Sequence, residues 1–191
     1  GSGAASAPPS AGAGPSPADG PRVIGPAPAD LHDVDWANSL VPGDFCDLPE
    51  PVRLTDGVAT ATSRTWGTVR VRSGRNVTYG DTDGDQRDEA ALHVGCDDNG
   101  ATMSGQLAVG YVVLSRLGDS LAVLGTITPR QKQTGSYGIG LTQVDFAPGR
   151  ITVHERWHRP TDPRCCPTGE STTVWTREGN RLVPGEPRVV S

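Results

Sequence analysis

The sequence predicts a mainly β protein: a compact antiparallel sandwich or barrel-like domain with one short N-terminal helix, an α+β arrangement being the alternative. Three observations carry this. Short runs rich in Val, Thr and Leu recur from residue 57 onward, punctuated by the Gly, Pro, Asn and Asp of tight turns. No stretch sustains the 3.6-residue apolar period of a long helix. Four cysteines, Cys46, Cys96, Cys165 and Cys166, supply two staples to a chain of 191 residues.

The elements follow in chain order. From residue 3 to residue 30 nearly every position is Ala, Gly, Ser or Pro. Such a segment buries too little apolar surface to offset its ordering entropy. Residues 1–30 are therefore expected to be a disordered tether, and residues 31–191 a single disulfide-stapled domain. Leu31, Val34 and Trp36 fit one short helix capped by Asp30 and ended by Pro42-Gly43. Residues 58–71 read as β, with Trp66, and Asn76-Val77-Thr78-Tyr79 and residues 90–96 flank an Asp-rich loop. The apolar runs 107–114 and 121–127, joined by Gly118-Asp119-Ser120, read as a hairpin of central strands. Residues 143–146, the turn Pro148-Gly149 and the alternating run 151–158 follow. Residues 172–176 and 181–183 form a last hairpin around Glu178-Gly179-Asn180.

Composition narrows the function. A formal net charge of −5 argues against a nucleic-acid partner or a polybasic membrane patch. Lys132 is the only lysine. Arg64, Arg70, Arg72 and Arg75 cluster, which reads as a solvated strand face. Residues 30–50 hold Asp30, Asp33, Asp35, Asp44, Asp47 and Glu50 with no Lys or Arg, so this acidic lead is expected to dock on the arginines. No apolar run reaches the roughly 18 residues of a membrane helix. The Pro/Ala/Gly/Ser segment fits the stretch after the lipidated cysteine of a bacterial lipoprotein, or a linker after a cleaved secretory signal. Either origin places the domain outside the cytoplasm, where disulfides persist.

Adjacent Cα atoms lie about 3.8 Å apart, below the usual disulfide range of about 4.4–6.8 Å. That argues against a bond between Cys165 and Cys166. Two pairings stay open: 46–165 with 96–166, or 46–166 with 96–165.

The sharpest chemical candidate is Asp81-Thr82-Asp83-Gly84-Asp85-Gln86-Arg87-Asp88-Glu89. Acids at alternate positions turn oxygens toward one centre when the chain curls, as Ca²⁺ requires. The candidate metal ligands are Asp81, Asp83, Asp85 and Glu89, with the Arg87 carbonyl closing the shell. The EF-hand pattern fails, because its sixth position is Gln86 rather than Gly and its twelfth is Leu92. The shorter loop of FG-GAP-type repeats fits better, again with Gln86 in place of a glycine. The competing reading is a polar turn in which the Asp side chains cap backbone N–H groups and pair with Arg87.

Other signals are weaker. His154 and His158 share a strand face, but four strand residues span about 13 Å, too far for one Zn²⁺. Glu155 shares its face with Ile151, Val153 and Trp157, and an arginine partner is expected. No G-x-S-x-G nucleophile elbow is present. The glycine-rich residues 135–140 follow no strand and open no helix, so they read as a loop, with Arg130 and Lys132 beside a contact surface.

Val77-Thr78-Tyr79-Gly80-Asp81 runs into Gly84-Asp85-Gln86-Arg87-Asp88-Glu89-Ala90, and a strand then ends at Cys96. Later, Asp162-Pro163-Arg164-Cys165-Cys166-Pro167-Thr168-Gly169 leads into a strand with Trp175. Over residues 44–183 this order resembles the LppP/LprE-like lipoproteins of actinobacterial cell envelopes, with Gln86 for a glycine and Thr168 for a serine. The resemblance implies a lipid anchor at the outer face of the cytoplasmic membrane and structural disulfides at Cys46, Cys96, Cys165 and Cys166. It supplies no catalytic residues. The expected protein is therefore a non-enzymatic, tethered binding protein for an envelope partner or ligand, an accessory to sensing or transport. The alternative is a calcium-dependent binding or adhesion module. Beyond that possible Ca²⁺, no cofactor is expected.

Overall fold

A computed structural model describes residues 22–100, 106–130, 140–163 and 165–190, with backbone only for 74–76. The predicted tether, up to residue 21, and the glycine-rich loop with Lys132 lie outside the described residues. The fold is mainly β, as expected, and is built on a curled antiparallel half-barrel sheet. That sheet contains β1 (Arg22–Pro26), β4 (Val58–Ser63), β5 (Gly67–Gly80), β6 (Glu89–Asp97), β7 (Gln106–Leu117) and β8 (Ser120–Ile127). Its spatial order is β1-β8-β7-β6-β5-β4. A second sheet places β12 (Arg181–Pro184), β11 (Gly169–Glu178), β10 (Arg150–Trp157) and β9 (Gly140–Ala147) side by side, with β13 (Arg188–Val189) also on β11. β2 (Leu40–Val41) and β3 (Val52–Arg53) form a small ribbon.

The continuous apolar runs seen in sequence have a simple cause: the central strands are covered on both faces. On one face Ala90, Leu92, Val94, Val112, Leu114, Leu121 and Val123 meet Leu31, Trp36, Val41 and Leu48 of the acidic lead and Leu54 just beyond it. On the other, Ala91, Val113, Leu124 and Ile127 meet Leu141, Val144, Ile151, Val153 and Trp175 of the second sheet. Each fully buried Leu, Ile or Val contributes about 1.5–3 kcal/mol. This is how a lead with little regular structure stays docked.

The structure corrects several expectations. The single helix around Leu31, Val34 and Trp36 is two 3₁₀ turns, Leu31–Asp33 and Trp36–Asn38, with Val34 and Asp35 between them. Asp30 does cap, accepting the His32 N–H at 2.9 Å. Leu31 and Trp36 are both buried, a spacing that one short helix would not bring onto the same face. Residues 22–26, grouped by composition with the tether, form β1 on the β8 edge. Ile24 packs against the core there.

The disulfides also differ from both expected pairings. Cys46 bonds Cys96, with Cα atoms 6.2 Å apart, and Cys165 bonds its neighbour Cys166, with Cα atoms 3.7 Å apart. Cys46 and Cys96 are buried between the lead and β6, whereas Cys165 and Cys166 are exposed in the β10–β11 loop of the other sheet. The vicinal bond was argued against because neighbouring Cα atoms lie closer than the usual disulfide range, yet it forms at that neighbour spacing. The Cys166 N–H donates to the Pro163 carbonyl at 3.0 Å.

The acidic lead meets the arginines only in part. Arg64 pairs with Asp47 at 3.3 Å. Arg70 and Arg72 both turn to Asp97 on β6. The Arg75 side chain lies outside the described residues.

Candidate functional site

The Asp-rich loop links β5 to β6. It starts at Gly80, where a Cβ would collide with the Phe146 side chain, so β5 and β9 meet closely at its base. Asp81 folds the loop: one carboxylate oxygen accepts the N–H groups of Asp83 and Gly84, at 3.2 and 2.9 Å, and the other accepts that of Gln86 at 2.9 Å. Asp83 caps the Asp85 N–H and Asp85 caps that of Arg87. Gln86 sits at φ 65°, the left-handed conformation that glycine adopts freely. The apparent departure from the metal-loop pattern therefore keeps the backbone shape that the pattern requires.

One oxygen from each of Asp81, Asp83, Asp85 and Glu89 lies within 4.8 Å of the others. All four predicted ligands are thus brought together, and the turn geometry of the competing reading is present too. The electrostatics are uneven. Burial raises the Asp81 carboxyl, but the N–H groups of Gln86 and Gly84 outweigh it and hold the group below its ordinary value. Burial, followed by the neighbouring Asp85 carboxyl, pushes Asp83 up. Burial also raises Glu89, against the hydrogen bonds from Thr82 and the charge of Arg177. Crowded carboxyls of this kind are relieved by a proton or by a hard cation.

The arginine that serves this loop is Arg177, on β11, rather than the expected Arg87. Its side chain is only 10% exposed and lies 3.4 Å from Glu89, itself 2% exposed, and 3.5 Å from Asp83. It also donates to the Thr82 hydroxyl at 2.9 Å. Glu89 accepts both the N–H and the hydroxyl of Thr82, at 2.7 and 2.6 Å. Gly149 completes the junction: its N–H donates to the Thr82 carbonyl and its own carbonyl accepts from the Arg177 N–H. The loop therefore ties both sheets together. Arg177 shares the inward parity of Ser171, Thr173 and Trp175, a two-residue alternation present in the sequence.

Asp88 ties the loop to the lead. His32 Nε2 lies 2.9 Å from its carboxylate, and the His32 ring stacks on Tyr79 at 3.8 Å. The hydrogen bond to Asp88 raises the imidazole above its ordinary 6.5. Protonated His32 favours the folded state, so its small contribution is complete below pH 6.5 and fades as pH rises through the folded-state value. An NMR titration should give a His32 midpoint above 6.5, and Asp88→Asn should bring it down; an unmoved midpoint would disprove the tie.

A cleft of about 380 Å³ opens where the two sheets adjoin, between β8 and β12. Phe45, Val123, Leu124 and Leu182 are among its apolar residues, and Arg22, Asp44 and Arg181 among its polar ones. Arg22, which begins β1, pairs with Asp44 at 2.7 Å, and Arg181 with Glu178 at 3.6 Å. Sequence reasoning missed this cleft because its walls come from four distant segments.

Glu155 faces inward with Ile151 and Val153, as the alternation predicts. It is 1% exposed and accepts the Arg130 backbone N–H on both oxygens, at 2.9 and 3.1 Å, while the Arg130 guanidinium lies 5.9 Å above the Trp175 ring. His154 pairs with Asp145 at 2.8 Å, and His158 lies past the end of β10. Among the described residues, no helix is long and apolar enough to cross a membrane. No family model, curated protein or solved structure matches the chain.

Proposed function

We propose that this chain is a non-enzymatic, membrane-tethered extracytoplasmic lipoprotein that binds a partner protein or envelope ligand as an accessory to sensing or transport. The observation that carries the reading is the cleft between β8 and β12, which opens beside Arg22, the first residue of β1. Its volume falls in the range of small-ligand sites. Among the described residues, the two buried carboxylates have structural employment: Glu89 holds Thr82, and Glu155 holds the Arg130 backbone. The resemblance to LppP/LprE-like lipoproteins supports the anchor. The test is fractionation of native cells expressing the natural full-length protein. Recovery in the membrane fraction and in the detergent phase of a cloud-point separation supports the reading; recovery in the cytoplasm, free of membrane, overturns it.

A second reading rests on the four clustered oxygens of Asp81, Asp83, Asp85 and Glu89: a calcium-dependent binding or adhesion module. Calcium that binds only the folded state stabilises it by about 2.7 kcal/mol at a hundred times its Kd. Millimolar calcium should then raise Tm, chelator should reverse the rise, and Asp83→Asn should abolish it. An unchanged Tm in wild type ends this reading.

A further inference from the structure

We propose that the cleft between β8 and β12 takes a single-chain anionic amphiphile, its alkyl chain over Phe45, Leu124 and Leu182 and its carboxylate or phosphate head on Arg22 and Arg181. The proposal deepens the tethered-binding reading and rests on it for the choice of a lipid-like ligand.

Two features point to this ligand class. First, the apolar lining is drawn from three places: Phe45 from the lead, Leu124 from β8 and Leu182 from β12. Both hydrophobic cores reach the cleft, since Phe45 packs on one, Leu182 on the other, and Leu124 belongs to the second. At Gly125 the absence of a side chain keeps the space open, because a Cβ there would already lie 3.4 Å from the Leu182 Cβ. A volume of about 380 Å³ sits near the small end of ligand sites. It suits one alkyl chain better than a double-chain lipid.

Second, cations stand at two sides of that lining. Arg22 comes from β1 and Arg181 from β12. Each already has a carboxylate partner, Asp44 or Glu178, but both pairs are open to solvent: the four side chains are 39–57% exposed. Exposed ion pairs contribute little to stability. A ligand anion that also gains burial of its chain can therefore displace Asp44 or Glu178 at small cost. The planar guanidinium fork matches both carboxylate and phosphate. Asn180 and Thr128 also line the cleft and add donors for a head group.

The test titrates the full 191-residue chain, below micelle-forming concentrations, with decanoate, decyl phosphate, neutral decyl maltoside and cationic decyltrimethylammonium. Calorimetry or native mass spectrometry reads binding. The proposal predicts saturable one-to-one binding of the two anions, and binding of the neutral and cationic probes at least tenfold weaker. Arg181→Gln should weaken the anions about tenfold and leave the neutral probe unchanged, the loss expected for one charge-assisted contact. Gly125→Leu should fill the cleft and weaken all probes while Tm holds. Stronger binding of decyl phosphate assigns lipid head-group chemistry, and stronger binding of decanoate a free fatty acid. Equal binding of neutral and anionic probes overturns the proposal, as does no binding by folded wild type, or anion binding that survives both substitutions. None of these outcomes alters the fractionation result, so the two readings fail separately.

Discussion

Arg177→Met should lower the unfolding free energy by about 3–5 kcal/mol at neutral pH, measured by denaturant titration. The substitution keeps the aliphatic bulk and removes the charge, leaving Glu89 buried at 2% exposure with no cation beside it. The Thr82 bonds remain, and Asp83 is one-third exposed, so the lower end of that range is the better expectation. The pH dependence identifies the cause. Burial already raises Glu89 above 4.5, and losing Arg177 raises it further. A carboxyl with a raised folded-state value favours the fold when protonated, so the penalty is full above that value and shrinks as pH falls toward 4.5. Adding Glu89→Gln to Arg177→Met should recover much of the loss, because the orphaned charge is then gone. A loss that is independent of pH, or no recovery in the double variant, would mean that Arg177 acts by packing alone.

The second large effect separates the two disulfides. Replacing Cys46 and Cys96 together by alanine removes a cross-link between residues 50 apart. The chain-entropy argument gives about 4 kcal/mol for a loop of that size, before any lost packing at two buried sites. Against a total stability of about 5–15 kcal/mol, such a variant is close to unfolding. Replacing Cys165 and Cys166 by serine removes a bond between neighbours. It closes almost no loop, so chemical denaturation should scarcely shift. Equal losses in the two double variants would contradict the observed pairing and restore one of the crossed pairings between the lead and the β10–β11 loop.

Much of the sheet architecture was legible in the residues, for physical reasons. Residues 107–114 and 121–127 read as central strands because burial on both faces demands continuous apolar sequence, and both runs prove to be central. Alternation correctly turned Glu155 inward. The Asp loop was legible because its side chains act on backbone only a few residues away.

What was missed depends on distant partners. Val23-Ile24 is too short to stand out from the Ala/Pro/Gly sequence around it, and becomes a strand only because β8 presents an open edge. The two 3₁₀ turns reflect a choice made by the sheet, which needs both Leu31 and Trp36 beneath it. Arg177 was overlooked because its partners, Asp83 and Glu89, lie almost a hundred residues earlier in the chain. The vicinal disulfide escaped because the usual Cα range of disulfides was applied to neighbouring residues, whose 3.7 Å spacing carries the bond here.

We propose a tethered domain that binds a partner or ligand in the envelope. The most direct test is purification of the natural, tagged, full-length protein from native membranes in mild detergent, with mass spectrometry of what accompanies it. The expected result is membrane extraction together with a stoichiometric companion, protein or lipid, that is absent from an unrelated tagged lipoprotein handled alike. A protein recovered from the soluble cytoplasm, or one that elutes from membranes with no stoichiometric companion, would contradict it.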